Sequence, residues 1–435
     1  VKIAEEIPAV PVSRRRVLRA AAGLALASVA GCGGGEGAAA ADAETVLWYW
    51  PGGLSDTLLK EAVDRFKDRT TLKPTLIEGD FRAQLSDVLN GPPEGVPSIA
   101  GLKGEEIASF LPRADLFADL HTLGADDIAG EYLPWKWQQA SAPDNRLIGF
   151  PIDIGPTAMY YRADVFEKAG LPVEPGEVAK KLSTWNDYFE AGIQIGREVP
   201  GAKLLRNAGE LFTIVICQGA QRFIDEGNHF VGDATHVRAA WETAVRLVST
   251  GGSAKIPVHD EVAWKAGMND GSLATELGAA WLGYDIKAGA PDGAGKWRVA
   301  AGPASGANYG GSFLSLPQNG RDPALAYEIV AWLLSPENQA RAFTDAALFP
   351  AAPATYTMAA LREPDPYFGG QVTVEVFGDS AQRAHRVYEA PADGDVHKLY
   401  VSQLEAYERG DKTETEAWRD AVAEGRKLAA SLGVN

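Results

Sequence analysis

The chain has 435 residues, 46% hydrophobic and 23% charged, with a formal net charge of -17 and a pI near 4.9. That length and balance describe a globular protein of one large or two medium domains and exclude a disordered chain. So acidic a surface repels nucleic acid and anionic lipid, which excludes both as main partners and favours a neutral or cationic ligand.

The first residues read as an address. Ser13-Arg14-Arg15-Arg16-Val17-Leu18 sets adjacent arginines before an apolar pair, and residues 20–31 are small, apolar and uncharged. That stretch is too short to cross a bilayer, which takes about 20 apolar residues. A basic stretch, a short apolar run and small residues before a cut make a signal peptide, and the arginine pair marks export of folded cargo. Val29-Ala30-Gly31-Cys32 resembles the lipobox of bacterial lipoproteins, which implies cleavage before Cys32 and its diacylation. Residues 1–31 are then a twin-arginine lipoprotein signal and 32–44 a flexible Gly/Ala-rich tether. Cleavage removes five basic and two acidic residues, leaving 36 basic against 56 acidic. No later segment is long and apolar enough to span a membrane. The expected mature protein is anchored to the outer face of the cytoplasmic membrane without crossing it.

In Val46-Leu47-Trp48-Tyr49-Trp50, β-branched and aromatic residues predict a strand, which Pro51-Gly52-Gly53 breaks. Ser55 or Asp56 caps a helix whose apolar positions Leu58, Leu59, Ala62, Val63 and Phe66 recur at helical spacing. Residues 72–77 predict a second strand and 81–89 a second helix. This alternation predicts an α/β domain with a largely parallel sheet. Ligands bind at the carboxyl ends of such strands, where residues 50–53 and 103–106 lie. A second pattern opens at 147–151. Beyond it, helices are predicted at 185–197, 236–249, 324–334 and 415–432, with Pro-rich breaks at 350–353 and 364–366.

Catalytic signatures are missing. Neither a Gly-x-Ser-x-Gly elbow nor His-Glu-x-x-His occurs. Residues 289–296 have the wrong glycine spacing for a phosphate loop, and Trp297 stands where Ser or Thr would hold magnesium. Cys32 and Cys217 make no disulfide framework, and Cys217, in the apolar run 212–217, reads as an inert buried thiol. The six histidines have no metal-site spacing, so neither metal nor cofactor is expected. Acidic pairs are plentiful, which leaves a glycosidase dyad open.

Residues 150–171, from Phe150-Pro151-Ile152-Asp153 to Ala169-Gly170-Leu171, resemble a hallmark of the family 1 extracellular solute-binding proteins. These are the maltose-binding-protein-like sugar receptors of ABC importers. Thr184-Trp185-Asn186-Asp187, Gly271-Ser272-Leu273-Ala274-Thr275, Ala279-Ala280-Trp281 and Asn308-Tyr309-Gly310-Gly311-Ser312 follow in the family's order, as does Ser335-Pro336-Glu337-Asn338-Gln339. The resemblance implies a two-lobe α/β fold of the periplasmic-binding-protein type, with hinge crossovers and a ligand cleft between the lobes. It places one lobe at 45–150 with 303–350 and the other at 151–302 with 351–435. It implies a non-enzymatic, monomeric receptor that hands a carbohydrate to ABC permease subunits. Residues 365–371 look like the subgroup serving plant-derived or storage oligosaccharides, which favours a di- or oligosaccharide. The alternatives are a secreted carbohydrate-active hydrolase and a surface adhesion lipoprotein.

A neutral sugar offers C–H faces that stack on aromatic rings and hydroxyls that need paired donors and acceptors. Trp281 matches the family's stacking tryptophan, and Asp153 sits in the hinge-proximal Pro-x-Asp. Tyr309, Gly310 and Gly311 bring backbone near the ligand, Tyr309 replacing the family's usual Trp. Trp50 ends the first strand and shares a face with Trp48. Lys103, Glu105 and Asn207 correspond to loops that carry polar ligand contacts in relatives. Trp241, Trp264 and Trp332 lie on helical patterns and are assigned to the core.

Overall fold

Two sheets organise residues 43–384 and 387–435, the part of the chain that the computed structural model describes. The signal peptide, Cys32 and residues 32–42 of the tether lie outside it. The strands, in chain order, are β1 (Glu44–Tyr49), β2 (Thr71–Leu76), β3 (Ile99–Lys103), β4 (Phe150–Pro151), β5 (Thr157–Arg162), β6 (Thr275–Ala279), β7 (Trp297–Ala300) and β8 (Ser312–Ser315). The first sheet has the order β2-β1-β3-β8-β4 and the second β6-β5-β7.

β1 pairs parallel with β2 and β3, as strand–helix alternation predicts. β8, however, runs antiparallel to β3 and β4, and the second sheet is antiparallel throughout. The expectation of a largely parallel sheet therefore holds for three strands only. Parallel pairing follows from local strand–helix–strand units, whereas β8 returns to the first sheet after a long excursion and is free of that constraint.

The helices form where caps and apolar spacing coincide. Ser55 accepts the N–H of Leu58 to start Asp56–Phe66, which buries Leu58, Leu59, Ala62 and Phe66. Val63, assigned above to that face, is exposed, because it falls at the rim, about 40° beyond Leu59 on a 3.6-residue helix. Asp80 caps Phe81–Leu89, which buries Phe81, Leu85 and Leu89 at intervals of four. Trp185–Glu198, Thr235–Ser249, Pro323–Leu333 and Glu414–Ser431 lie where the periodicity places them, the last opened by a Thr413/Glu416 capping box. Ala208–Cys217 packs on Thr235–Ser249 and Asp393–Arg409 around Phe212, Phe223, Trp241 and Tyr400.

The chain passes between the sheets at 152–156 and again at 301–311, and these passages are tied together. Pro156 bridges to Asn308, and Ile154 to Phe349. Phe349 also meets Phe377 at 5.9 Å, which meets Tyr160 of β5 at 5.9 Å. The apolar core is thus continuous along one edge of the two lobes.

Candidate functional site

A cavity of about 540 Å3 opens where the ends of β1 and β3 and the passages at 152–156 and 301–311 converge with residues 213–222, 281 and 394–398. Trp50, Lys103, Glu105, Asp153, Trp281, Tyr309, Gly310 and Gly311 all border it.

On one wall, the Trp50 ring meets Phe81 edge-on at 5.3 Å, and Lys103 Nζ lies 5.6 Å from its centroid. The ring lies against the backbone of β3. A Cβ on Gly101 would come within 2.4 Å of Trp50 Cζ3, so only glycine leaves the indole its place. On the opposite wall, Trp281 follows β6 and starts the helix Leu282–Gly289. Its ring tilts 50° against Tyr309 at 5.8 Å, and its Nε1 donates to the Tyr309 carbonyl at 3.4 Å. Gly310 and Gly311 both have left-handed backbone, at φ 83° and 76°, which turns the chain from Tyr309 into β8.

Asp153 is only 4% exposed, and its Oδ1 accepts the Ser312 N–H at 2.7 Å. Behind it stands a residue the sequence did not single out. Lys136 is fully buried, donates to Gln139 Oε1 at 3.1 Å and sits 3.8 Å over the Phe313 ring. Burial raises the Asp153 carboxyl against the attraction of Lys136, and burial likewise lowers the Lys136 ammonium against Asp153. Asp153 therefore holds the passage between lobes as well as facing the cavity.

Asn207 is elsewhere. It is fully buried as the N-cap of Ala208–Cys217, its Oδ1 accepting from Glu210 N at 2.9 Å and its Nδ2 donating to Ile256 O at 2.8 Å. It does not border the cavity, which corrects its assignment as a ligand contact. The signal was in the sequence: Asn followed three residues later by Glu, ahead of an apolar run, starts a helix. Asn207→Ala is expected to cost about 1–2 kcal/mol of stability and to leave ligand affinity unchanged. Urea unfolding beside calorimetric titration checks both halves.

Trp264 is partly buried and packs against the core, as assigned, and it also borders a second cavity. Cys217 is buried as expected, its Sγ accepting from Arg222 Nη2 at 3.6 Å.

Arg82, Glu106, Thr213, Arg222, Asp395, His397 and Lys398 also border the main cavity, and of these the sequence pointed only to Glu106, within 103–106. With them the charges balance: Arg82, Lys103, Arg222 and Lys398 face Glu105, Glu106, Asp153 and Asp395. Arg222 is ion-paired with Glu389, which also accepts from Gln139 Nε2 at 3.2 Å. Arg82 reaches Asp395 at 3.5 Å.

His397 has a defined tautomer. Thr213 spends its hydroxyl proton on the Gly209 carbonyl at 2.9 Å, so at 3.0 Å it accepts from His397 Nε2–H. Burial, then the charges of Arg222 and Lys398, holds the imidazole down at about 3, against an ordinary 6.5. The unfolded chain thus binds a proton that the folded one refuses. This contribution to stability is complete above pH 6.5 and is lost as the pH falls towards 3. His397→Gln is expected to flatten that part of the acid slope in urea midpoints taken from pH 7 to 4; an unchanged slope would contradict it.

The chain belongs to the bacterial extracellular solute-binding proteins, whose family model matches residues 90–365. It is 25% identical to a lactose-binding protein of Rhizobium radiobacter over 77% of this chain and 81% of that one. With an arabinooligosaccharide-binding protein of Bacillus subtilis (strain 168) it shares 26% identity over 70% and 72%. A solved extracellular solute-binding protein of family 1 superposes with a TM-score of 0.82 at 28% identity, covering 89% of this chain and all of that structure. The fold is the two-lobe α/β fold of the periplasmic solute-binding proteins, and the family is extracytoplasmic. Among the described residues no helix is long and apolar enough to cross a membrane.

Proposed function

We propose that this protein captures a carbohydrate, a di- or oligosaccharide, outside the cytoplasm and delivers it to the permease subunits of an ABC importer. The observation that carries this reading is the cavity itself: two aromatic walls, Trp50 and Trp281, face a lining whose four cationic and four anionic groups cancel. Such a surface suits a ligand with apolar C–H faces and many neutral hydroxyls, and about 540 Å3 is the scale of a small-molecule site. The names of the lactose- and arabinooligosaccharide-binding relatives point the same way. The lobes close on the ligand as a trap, with 45–150 and 303–350 on one side and 151–302 and 351–435 on the other. Cys32 anchors the receptor as a lipid-modified monomer, exported by the twin-arginine route, and no chemistry is performed on the ligand.

A thermal-shift screen of residues 32–435 against lactose, arabinooligosaccharides and sn-glycerol-3-phosphate tests this. A ligand that binds only the folded state raises the melting temperature, and closure lowers the radius of gyration in solution scattering. Recovery of the sugar unchanged after long incubation separates receptor from hydrolase. Stabilisation by the phosphate alone, or none by any sugar, would overturn the carbohydrate reading.

A further inference from the structure

Trp281 borders two cavities. The second, of about 170 Å3, shares Thr213, Trp281 and Tyr309 with the main one and is otherwise walled chiefly by Arg206, Glu210, Trp264, Glu276 and Asp285. Its charges do not cancel. Arg206 Nη1 is paired with Glu210 Oε1 at 3.0 Å, and its Nη2 is spent on the carbonyls of Pro257 and Val258. Lys265, the cation that attracts Asp285, is paired with Glu261 at 2.8 Å. Among the described residues, neither Glu276 nor Asp285 is in ion-pair contact with a cation, although Arg206 attracts Glu276 and Lys265 attracts Asp285 from further off.

Glu276 is 1% exposed. One of its oxygens accepts from Trp264 Nε1 at 3.0 Å, while the other has no hydrogen bond among the described residues and the side chain borders the cavity. A buried carboxyl with a free oxygen is half of an interaction, because burying it uncompensated is costly. Burial, and then repulsion from Glu210, raises the Glu276 carboxyl against the attraction of Arg206, and burial raises Asp285 against that of Lys265. The aromatic wall suits a cation: Arg206 already places its guanidinium 4.6 Å from the Trp264 ring centroid.

We propose that this side cavity is an ammonium subsite, so that the captured sugar carries a protonated amine which passes Trp281 and completes an ion pair with Glu276 and Asp285. The inference rests on the carbohydrate reading above and narrows it to amine-bearing sugars. A hydroxyl would satisfy only the free oxygen; an ammonium would satisfy it and also stabilise the ionised carboxylate that burial disfavours.

Calorimetric titration at neutral pH with the 2-hydroxy, 2-acetamido and 2-amino forms of glucose, galactose and lactose tests it. In at least one series the amino form should bind tenfold or more tightly than its two counterparts. Glu276→Gln and Asp285→Asn should each abolish that preference while keeping the affinity for the parent sugar. Asp285 is partly exposed, so Asp285→Asn carries the test should Glu276→Gln fail to fold. A purely structural role would weaken all three forms alike, and that result overturns the subsite. Amino forms that bind no better than their parents in every series also overturn it. Parent sugars and arabinooligosaccharides in the same titrations report on the carbohydrate reading separately: if they bind and the amines gain nothing, only the subsite falls.

Discussion

Asp153→Ala is expected to cost about 1–3 kcal/mol of stability, the range for leaving a buried donor without its acceptor. The substitution strips the Ser312 N–H of its acceptor and leaves the ammonium of Lys136 fully buried with Gln139 Oε1 as its hydrogen-bond partner. Asp153→Asn retains an acceptor for Ser312 but not the charge, and its cost should be intermediate. Combining Asp153→Ala with Lys136→Met replaces the pair by apolar groups and should recover much of the loss. Urea unfolding of the mature chain measures all three. A cost below about 1 kcal/mol for Asp153→Ala would mean that Lys136 does not depend on this carboxylate.

Trp281→Ala is expected to weaken ligand binding by about 10- to 100-fold, or about 1.4–2.7 kcal/mol, the worth of a stacking face and its buried area. The melting temperature without ligand should barely move. Trp281 is only partly buried, and its single hydrogen bond, to the Tyr309 carbonyl, is long at 3.4 Å. Trp281→Phe keeps a smaller stacking face and should bind with intermediate affinity. Calorimetric titration with the best sugar from the screen checks the order; equal affinity in the wild type and Trp281→Ala would remove Trp281 from the site. Trp50→Ala makes a useful contrast, since its ring also packs on Phe81 and against Gly101, and its loss should lower stability as well as affinity.

Much of this was legible in the chain because it is local. The helix Phe81–Leu89 is written in Asp80 and in apolar residues four apart, and the helix Glu414–Ser431 in the Thr413/Glu416 box. The ordered motifs around Phe150, Trp281 and Tyr309 pointed to the family because they belong to the segments that build the lobes and line the cleft. Asn207 shows the limit of such reasoning. Its correspondence to a polar loop suggested ligand, while its own neighbours Ala208, Gly209 and Glu210 spelled a helix cap, and the local physics decided.

Tertiary structure alone brought together groups far apart in sequence. Arg82 and His397 sit on separate helices and Arg222 on a loop, and no spacing rule connects them. Nothing in its neighbours marks Lys136 for burial; the fold alone brings Phe313 and Asp153 to it. The direction of β8 was equally hidden, since the sequence shows that a segment is a strand but not from which side it enters a sheet. Periodicity and capping act over a few residues and can be read from them. Charge balance, burial and strand direction depend on which distant segments meet, and that is settled only when the chain has packed.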